Sequence, residues 1–132
     1  MESGKFKKGL MFGTFDKLDS EHYKFISRAR EFSEKLVVSL AKDEHVKRYK
    51  DKHPAENQET RKQKLEQLDE IDKVFFSDDV DGAFHIVDEL KPDIVILGYD
   101  QSDLLYAIRE WMSENFYVTT LILRHYEADQ RN

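Results

Sequence analysis

Five short apolar runs alternate with segments of helical periodicity along the whole chain, and that alternation limits the fold more than any other feature. The runs cover residues 7–12, 35–41, 73–76, 93–97 and 117–123. Their apolar residues are consecutive, as in Ile94-Val95-Ile96-Leu97, so these strands need cover on both faces. Between them, Phe25, Ile26, Ala29 and Phe32 recur at helical spacing from Tyr23 onward, and Leu65 and Leu68 mark a sparser stripe over 57–69. Ala83, Val87 and Leu90 form the face of a short helix stopped by Lys91-Pro92. Leu104, Leu105, Ile108 and Met112 form the inward face of another, with Trp111 beside them. The segment 42–52 is polar and basic and runs into His53-Pro54. It reads as a loop or frayed turn, because proline disfavours helix at the residue before it. The pattern predicts one α/β domain over residues 1–132. Its core is a doubly wound, Rossmann-like parallel sheet of about five strands, with right-handed crossovers and helices on both faces.

Composition narrows the partners. A length of 132 residues with 39% hydrophobic residues suits one domain with its own core. The net charge of −6 argues against a broad electrostatic grip on nucleic acid, so no nucleic-acid partner is expected. Cysteine is absent, which excludes disulfides, thiolate chemistry and Cys-based zinc sites. Residues Met1 to Lys5 carry no apolar signal core, and no run is long enough to span a bilayer, so a cytoplasmic protein without a membrane partner is expected. His45, His53, His85 and His125 lie in unrelated segments and read as surface or partly packed residues. Asp78, Asp79 and Asp81 read as a polar turn closed by Gly82. The Leu104–Met112 stripe belongs first to the core and second to a homodimer contact.

In doubly wound sheets, ligands bind at the carboxyl ends of the strands where the winding direction reverses. The ends of the first and fourth strands, Gly13 to His22 and Gly98 to Gln101, are therefore expected side by side. The first of these is a strand, a glycine-started turn and a helix N-terminus in succession. Its unpaired backbone N–H groups and the helix dipole favour an anion, so the expected ligand is a phosphate.

These residues also carry a family likeness. Gly13-Thr14-Phe15-Asp16-x-Leu18, followed by His22, resembles the opening motif of the cytidylyltransferase-like nucleotidyltransferases. That motif reads G-T-F-D-x-L-H-x-G-H in glycerol-3-phosphate cytidylyltransferases and archaeal FAD synthases. The segment from Lys91 to Gln101 is similar to the fourth strand and following loop of the archaeal FAD synthases, and Ile71-Asp72-Lys73-Val74 resembles their V-D-E-V. The resemblance implies transfer of a nucleoside monophosphate from ATP or CTP to a phosphorylated small-molecule acceptor, with Mg²⁺ and release of pyrophosphate. It implies phosphates over Gly13, Thr14, Phe15 and Asp16, and a base near Gly98, Tyr99 and Asp100. His22 matches the second histidine of the motif, as a donor to the α-phosphate. Arg61 matches an arginine that opens the helix before the third strand. Lys47 or Lys50 matches a loop lysine, and spacing does not decide between them; Lys50 is taken as the catalytic candidate. Tyr126 lies roughly where the archaeal FAD synthases place a tyrosine near the nucleotide.

Two motif positions differ. Asp19 stands for the first histidine and Glu21 for the glycine, which gathers three carboxylates with Asp16 in one turn. Asp19 reads as a helix N-cap, as a ligand for a divalent cation bridging to the phosphates, or as the mark of a lineage that keeps the pocket without efficient transfer. The Ser/Thr-rich motif that the family carries after the fifth strand has no counterpart before Asn132, so either the sequence is shortened or those phosphate contacts are absent.

Overall fold

The structure, a computed structural model, describes residues 5–78 and 82–124. Tyr126, His125, Asp79 and Asp81 lie outside the described residues. The elements are β1 (Phe6–Gly13), α1 (Ser20–Glu31), β2 (Ser33–Leu40), α2 (Asp43–Lys50), α3 (Gln58–Glu66), β3 (Lys73–Phe76), α4 (His85–Leu90), β4 (Ile94–Gly98), α5 (Ser102–Glu114) and β5 (Thr119–Leu123). The strands make one sheet in the order β3-β2-β1-β4-β5, and every pairing is parallel. The winding reverses between β1 and β4, as the expected doubly wound fold requires.

β1 is the central strand. Leu10 lies opposite Val37 of β2 and Val95 of β4, and Met11 opposite Val38 and Ile96. Successive side chains point to opposite faces, so the strand feeds two cores. Met11 joins Phe25, Ile26, Ala29, Val38 and Leu65 under α1 and α3, and Leu10 joins Val37, Val87, Leu97, Ile108 and Met112 under α4 and α5. The uninterrupted apolar run of β4 is explained by this position, since every residue from Ile94 to Gly98 is buried. The Leu104–Met112 stripe serves the sheet, with Ile108 and Met112 buried and Leu104 and Leu105 packed against the core. Among the described residues, no helix is long and apolar enough to cross a membrane.

The structure corrects the reading of 42–52. Residues 43–50 are helical, and the left-handed Asp51, at φ 58°, ends the helix ahead of Pro54. Its start is fixed from a distance. The Asp43 N–H donates to Gln58 Oε1 at 2.8 Å, and the Gln58 N–H donates to Asp43 Oδ2 at 3.1 Å. Each residue thus caps the other's helix, supplying acceptors that no local pattern reveals. β1 is buried from Gly9 to Phe12, with Phe6 and Lys7 exposed at its entry.

Candidate functional site

The carboxyl ends of β1 and β4 open into a cavity of about 660 Å³, within the range of small-molecule sites. Gly13, Thr14, Phe15, Asp16 and His22 line it from the first turn, and Gly98 and Asp100 from the end of β4. The two segments expected side by side do meet there. Gln101 ties them together: its Oε1 accepts the Gly98 N–H at 2.8 Å, and its Nε2 donates to the Phe12 carbonyl at 3.0 Å. Lys50 enters from α2 together with His45, Val46 and Tyr49. Lys47 stands outside the lining, paired with Asp51 at 3.7 Å.

The turn itself is shaped by backbone constraint. Phe15 and Lys17 sit at φ 51° and 53°, in the left-handed region. Phe15 folds back over the strand end, so that a Cβ on Gly13 would stand 2.5 Å from its ring. Glycine is needed there for close approach. Asp16 anchors the turn to the segment before α3, accepting the Ala55 and Glu56 N–H groups at 2.7 and 2.9 Å. Burial pushes the Asp16 carboxyl up, but these two bonds and the charges of Arg61 and Lys17 outweigh it and hold the group below its ordinary value.

His22 and Asp19 form a reciprocal cap on α1. Asp19 Oδ1 accepts the His22 N–H at 3.0 Å, and His22 Nδ1 accepts the Asp19 N–H at 3.2 Å. Nδ1 is also 3.2 Å from Asp19 Oδ1, a contact that forms an ion pair once the ring is protonated. In the neutral ring bonded through Nδ1 the proton sits on Nε2, and the protonated ring carries one there as well. His22 therefore presents an N–H donor beyond the cap. Asp19 is the N-cap residue and stands outside the cavity lining, as does Glu21.

Arg61 departs from the role implied by the resemblance. Its guanidinium is buried and is already bonded to the carbonyls of Glu56, Thr14 and Ala41 and to Asp43 Oδ1. It braces the floor of the turn from beneath and does not face the cavity. Tyr99 is likewise outside the lining, 43% exposed. Among the described residues, no group of three or more His, Asp or Glu side chains is placed to hold a metal ion. The Asp16 oxygens accept backbone N–H groups and Asp19 Oδ1 accepts the His22 N–H.

Sequence reasoning missed several lining residues. Ser39, Ser77, Phe84, Ile86 and Ala107 come from β2, β3's end, α4 and α5. His45, read as a surface or partly packed residue, is partly buried and lines the cavity with Nδ1 3.4 Å from Ser77 Oγ. Only the helical state of 43–50 could have signalled it, since His45, Val46, Tyr49 and Lys50 share one helix face.

An open parallel sheet with its cleft at the β1–β4 switch point, and a glycine turn entering a helix N-terminus, defines a Rossmann-like α/β ligand-binding domain. The chain belongs to the cytidylyltransferase-like family, whose model matches residues 10–126. It is 34% identical over 108 residues to an FAD synthase of Ferroglobus placidus, covering 82% of this chain and 66% of that protein. It is 33% identical over 102 residues to an FAD synthase of Archaeoglobus fulgidus, covering 77% of this chain and 69% of that one. The match spans just under two thirds of the Ferroglobus protein's length. A lipopolysaccharide core biosynthesis protein from Thermoplasma volcanium has the same fold with a TM-score of 0.72 at 27% identity, covering 91% of this chain and 96% of that one. Pantoate-beta-alanine ligase from Francisella tularensis, 14% identical with a TM-score of 0.63 over 90% of this chain and 59% of that one, shares the fold alone.

Proposed function

We propose that the chain is a nucleotidyltransferase that moves a nucleoside monophosphate from ATP or CTP to a phosphorylated small-molecule acceptor. The observation that carries this reading is the single cavity joining the first turn, with His22 at its helix N-terminus, to the Gly98–Asp100 strand end. The phosphates lie over Gly13 to Asp16, where the N–H groups and dipole of α1 favour negative charge. The base lies towards Gly98 and Asp100, with Tyr99 at the rim. An oxygen of the acceptor's phosphate attacks the α-phosphorus in line. The bond from that phosphorus to the oxygen bridging to the β-phosphate breaks, and pyrophosphate leaves with the electron pair. His22 Nε2–H and the Lys50 ammonium stabilise charge on the transferred group, and the rigid turn positions it. Mg²⁺ would accompany the bound triphosphate and offset its charge.

ATP and flavin mononucleotide are the first pair to assay, because the curated relatives are FAD synthases. CTP with glycerol 3-phosphate is the second. Pyrophosphate release and product formation, followed chromatographically with Mg²⁺, should appear with one of them. His22→Ala should lower kcat on the order of 100-fold, the usual scale for one transition-state donor. Tight nucleotide binding with no pyrophosphate from either pair would overturn transfer. It would favour a second reading, a non-catalytic nucleotide-binding domain, to which Asp19 in place of the motif's first histidine already points.

A further inference from the structure

Ser39 of β2 carries a buried hydroxyl with no hydrogen-bond partner in the protein, the one such side-chain atom among the described residues. The residue is 2% exposed and contributes to the cavity wall. In the sheet it lies between Phe12 of β1 and Phe75 of β3. It points to the same face as Val37, the face covered by α4 and α5. There the cavity is walled by Phe12, Phe84, Ile86, Leu104 and Ala107, with the Phe12 and Phe84 rings edge to face at 6.0 Å. The walls of this lobe are apolar, with Ser77, Asp78 and Asp103 lining the cavity beside them, and the Ser39 hydroxyl is the unsatisfied group among them. A buried polar group without a partner is destabilising, and an alanine or valine would fit the strand without that cost. A serine hydroxyl turns about one bond among three staggered positions, so it can meet a group that enters beside Phe12.

We propose that Ser39 is a specificity contact for the acceptor. Its hydroxyl hydrogen-bonds a carbonyl or ring nitrogen on the leading edge of a flat, otherwise apolar heteroaromatic group lodged against Phe12 and Phe84. This rests on the nucleotidyl-transfer reading, which puts the acceptor's phosphate at the first turn and leaves its far end for this lobe. The lobe selects such a ring over a small polyol phosphate, which has no apolar surface to set against these walls.

Flavin mononucleotide is the probe. It is titrated by flavin fluorescence into the full chain and into Ser39→Ala, with ATP titrated calorimetrically and the thermal midpoint recorded for both proteins. The expected result is flavin affinity weakened about tenfold in the variant, the scale of one hydrogen bond, with ATP affinity unchanged within about twofold. The midpoint should stay level or rise, because an unpartnered hydroxyl has been removed. Equal flavin affinity in the two proteins would overturn the assignment of Ser39 and leave transfer untouched. A clearly lower midpoint would also overturn it, since the hydroxyl would then have a structural role. Binding of ATP but not flavin by the unaltered chain would overturn the flat-acceptor class, and failure to bind ATP or CTP would overturn the transfer reading itself.

Discussion

His22 is oriented by its own helix cap, in which Asp19 is the N-cap residue that its place before the helix suggests. The reciprocal bonds between the two residues at 3.0 and 3.2 Å fix the imidazole and leave Nε2 as the donor. Asp19→Ala should lower stability by about 1 kcal/mol, the usual cost of losing an N-cap, whereas Asp19→Asn should be nearly neutral. Asparagine also keeps activity if Asp19 is a cap, but abolishes it if Asp19 holds a cation, so comparing the two variants in urea melts and in the transfer assay separates the roles. Restoring the family residues with Asp19→His and Glu21→Gly should not raise the rate, because Glu21 stands outside the cavity and the cap is lost. A second carboxylate, Asp72, contributes to the acid limit. Burial pushes Asp72 up, but the Leu36 N–H at 2.8 Å and the Arg30 guanidinium at 2.7 Å outweigh it and hold the group below its ordinary 3.8. A value depressed in the folded state means that the stabilisation is complete above the unfolded-state value and is lost as pH falls through the folded one. Thermal midpoints should therefore drop as pH falls below about 4, and Asp72→Asn should lower the midpoint at neutral pH while flattening that acid limb.

At the scale of elements, the close packing of α1's exit against β1 is the most exacting contact. Ser33 Oγ donates to the Ala29 carbonyl at 3.1 Å directly beneath Gly9, and a Cβ on Gly9 would stand 2.0 Å from that oxygen. Gly9→Ala should cost about 1–3 kcal/mol through overpacking. Adding Ser33→Gly should recover most of the loss, and equilibrium unfolding of the single and double variants checks both. The helix α2 is the opposite case. It buries only Val46, yet it brings His45, Tyr49 and Lys50 to the cavity. Its first turn is held by the Asp43–Gln58 clasp across the loop that joins it to α3.

At the scale of the molecule, Arg61 fastens four segments at once: the first turn through Thr14, the end of β2 through Ala41, the start of α2 through Asp43, and the approach to α3 through Glu56. Arg61→Met should destabilise the fold by about 3 kcal/mol or more, because it strips the partner from a largely buried ion pair and three carbonyls. Calorimetry should show this loss with or without nucleotide, whereas a residue that only touched phosphate would leave the free protein's midpoint unchanged.

The order of strands and helices was legible because uniformly apolar runs cannot face water on either side, and β4 is buried from end to end. The site's two backbone segments were legible for the same topological reason, since parallel winding must bring the ends of β1 and β4 together. Local pattern determined that much by itself, along with the helix entry at His22. What only the tertiary structure decided were the roles that depend on partners distant in sequence. It placed Arg61 under the turn, Lys50 in the cavity and Ser39 in its wall. A hydrogen bond between residues 47 apart, such as that from Arg61 to Thr14, leaves no periodic trace in a sequence, whereas a buried strand does.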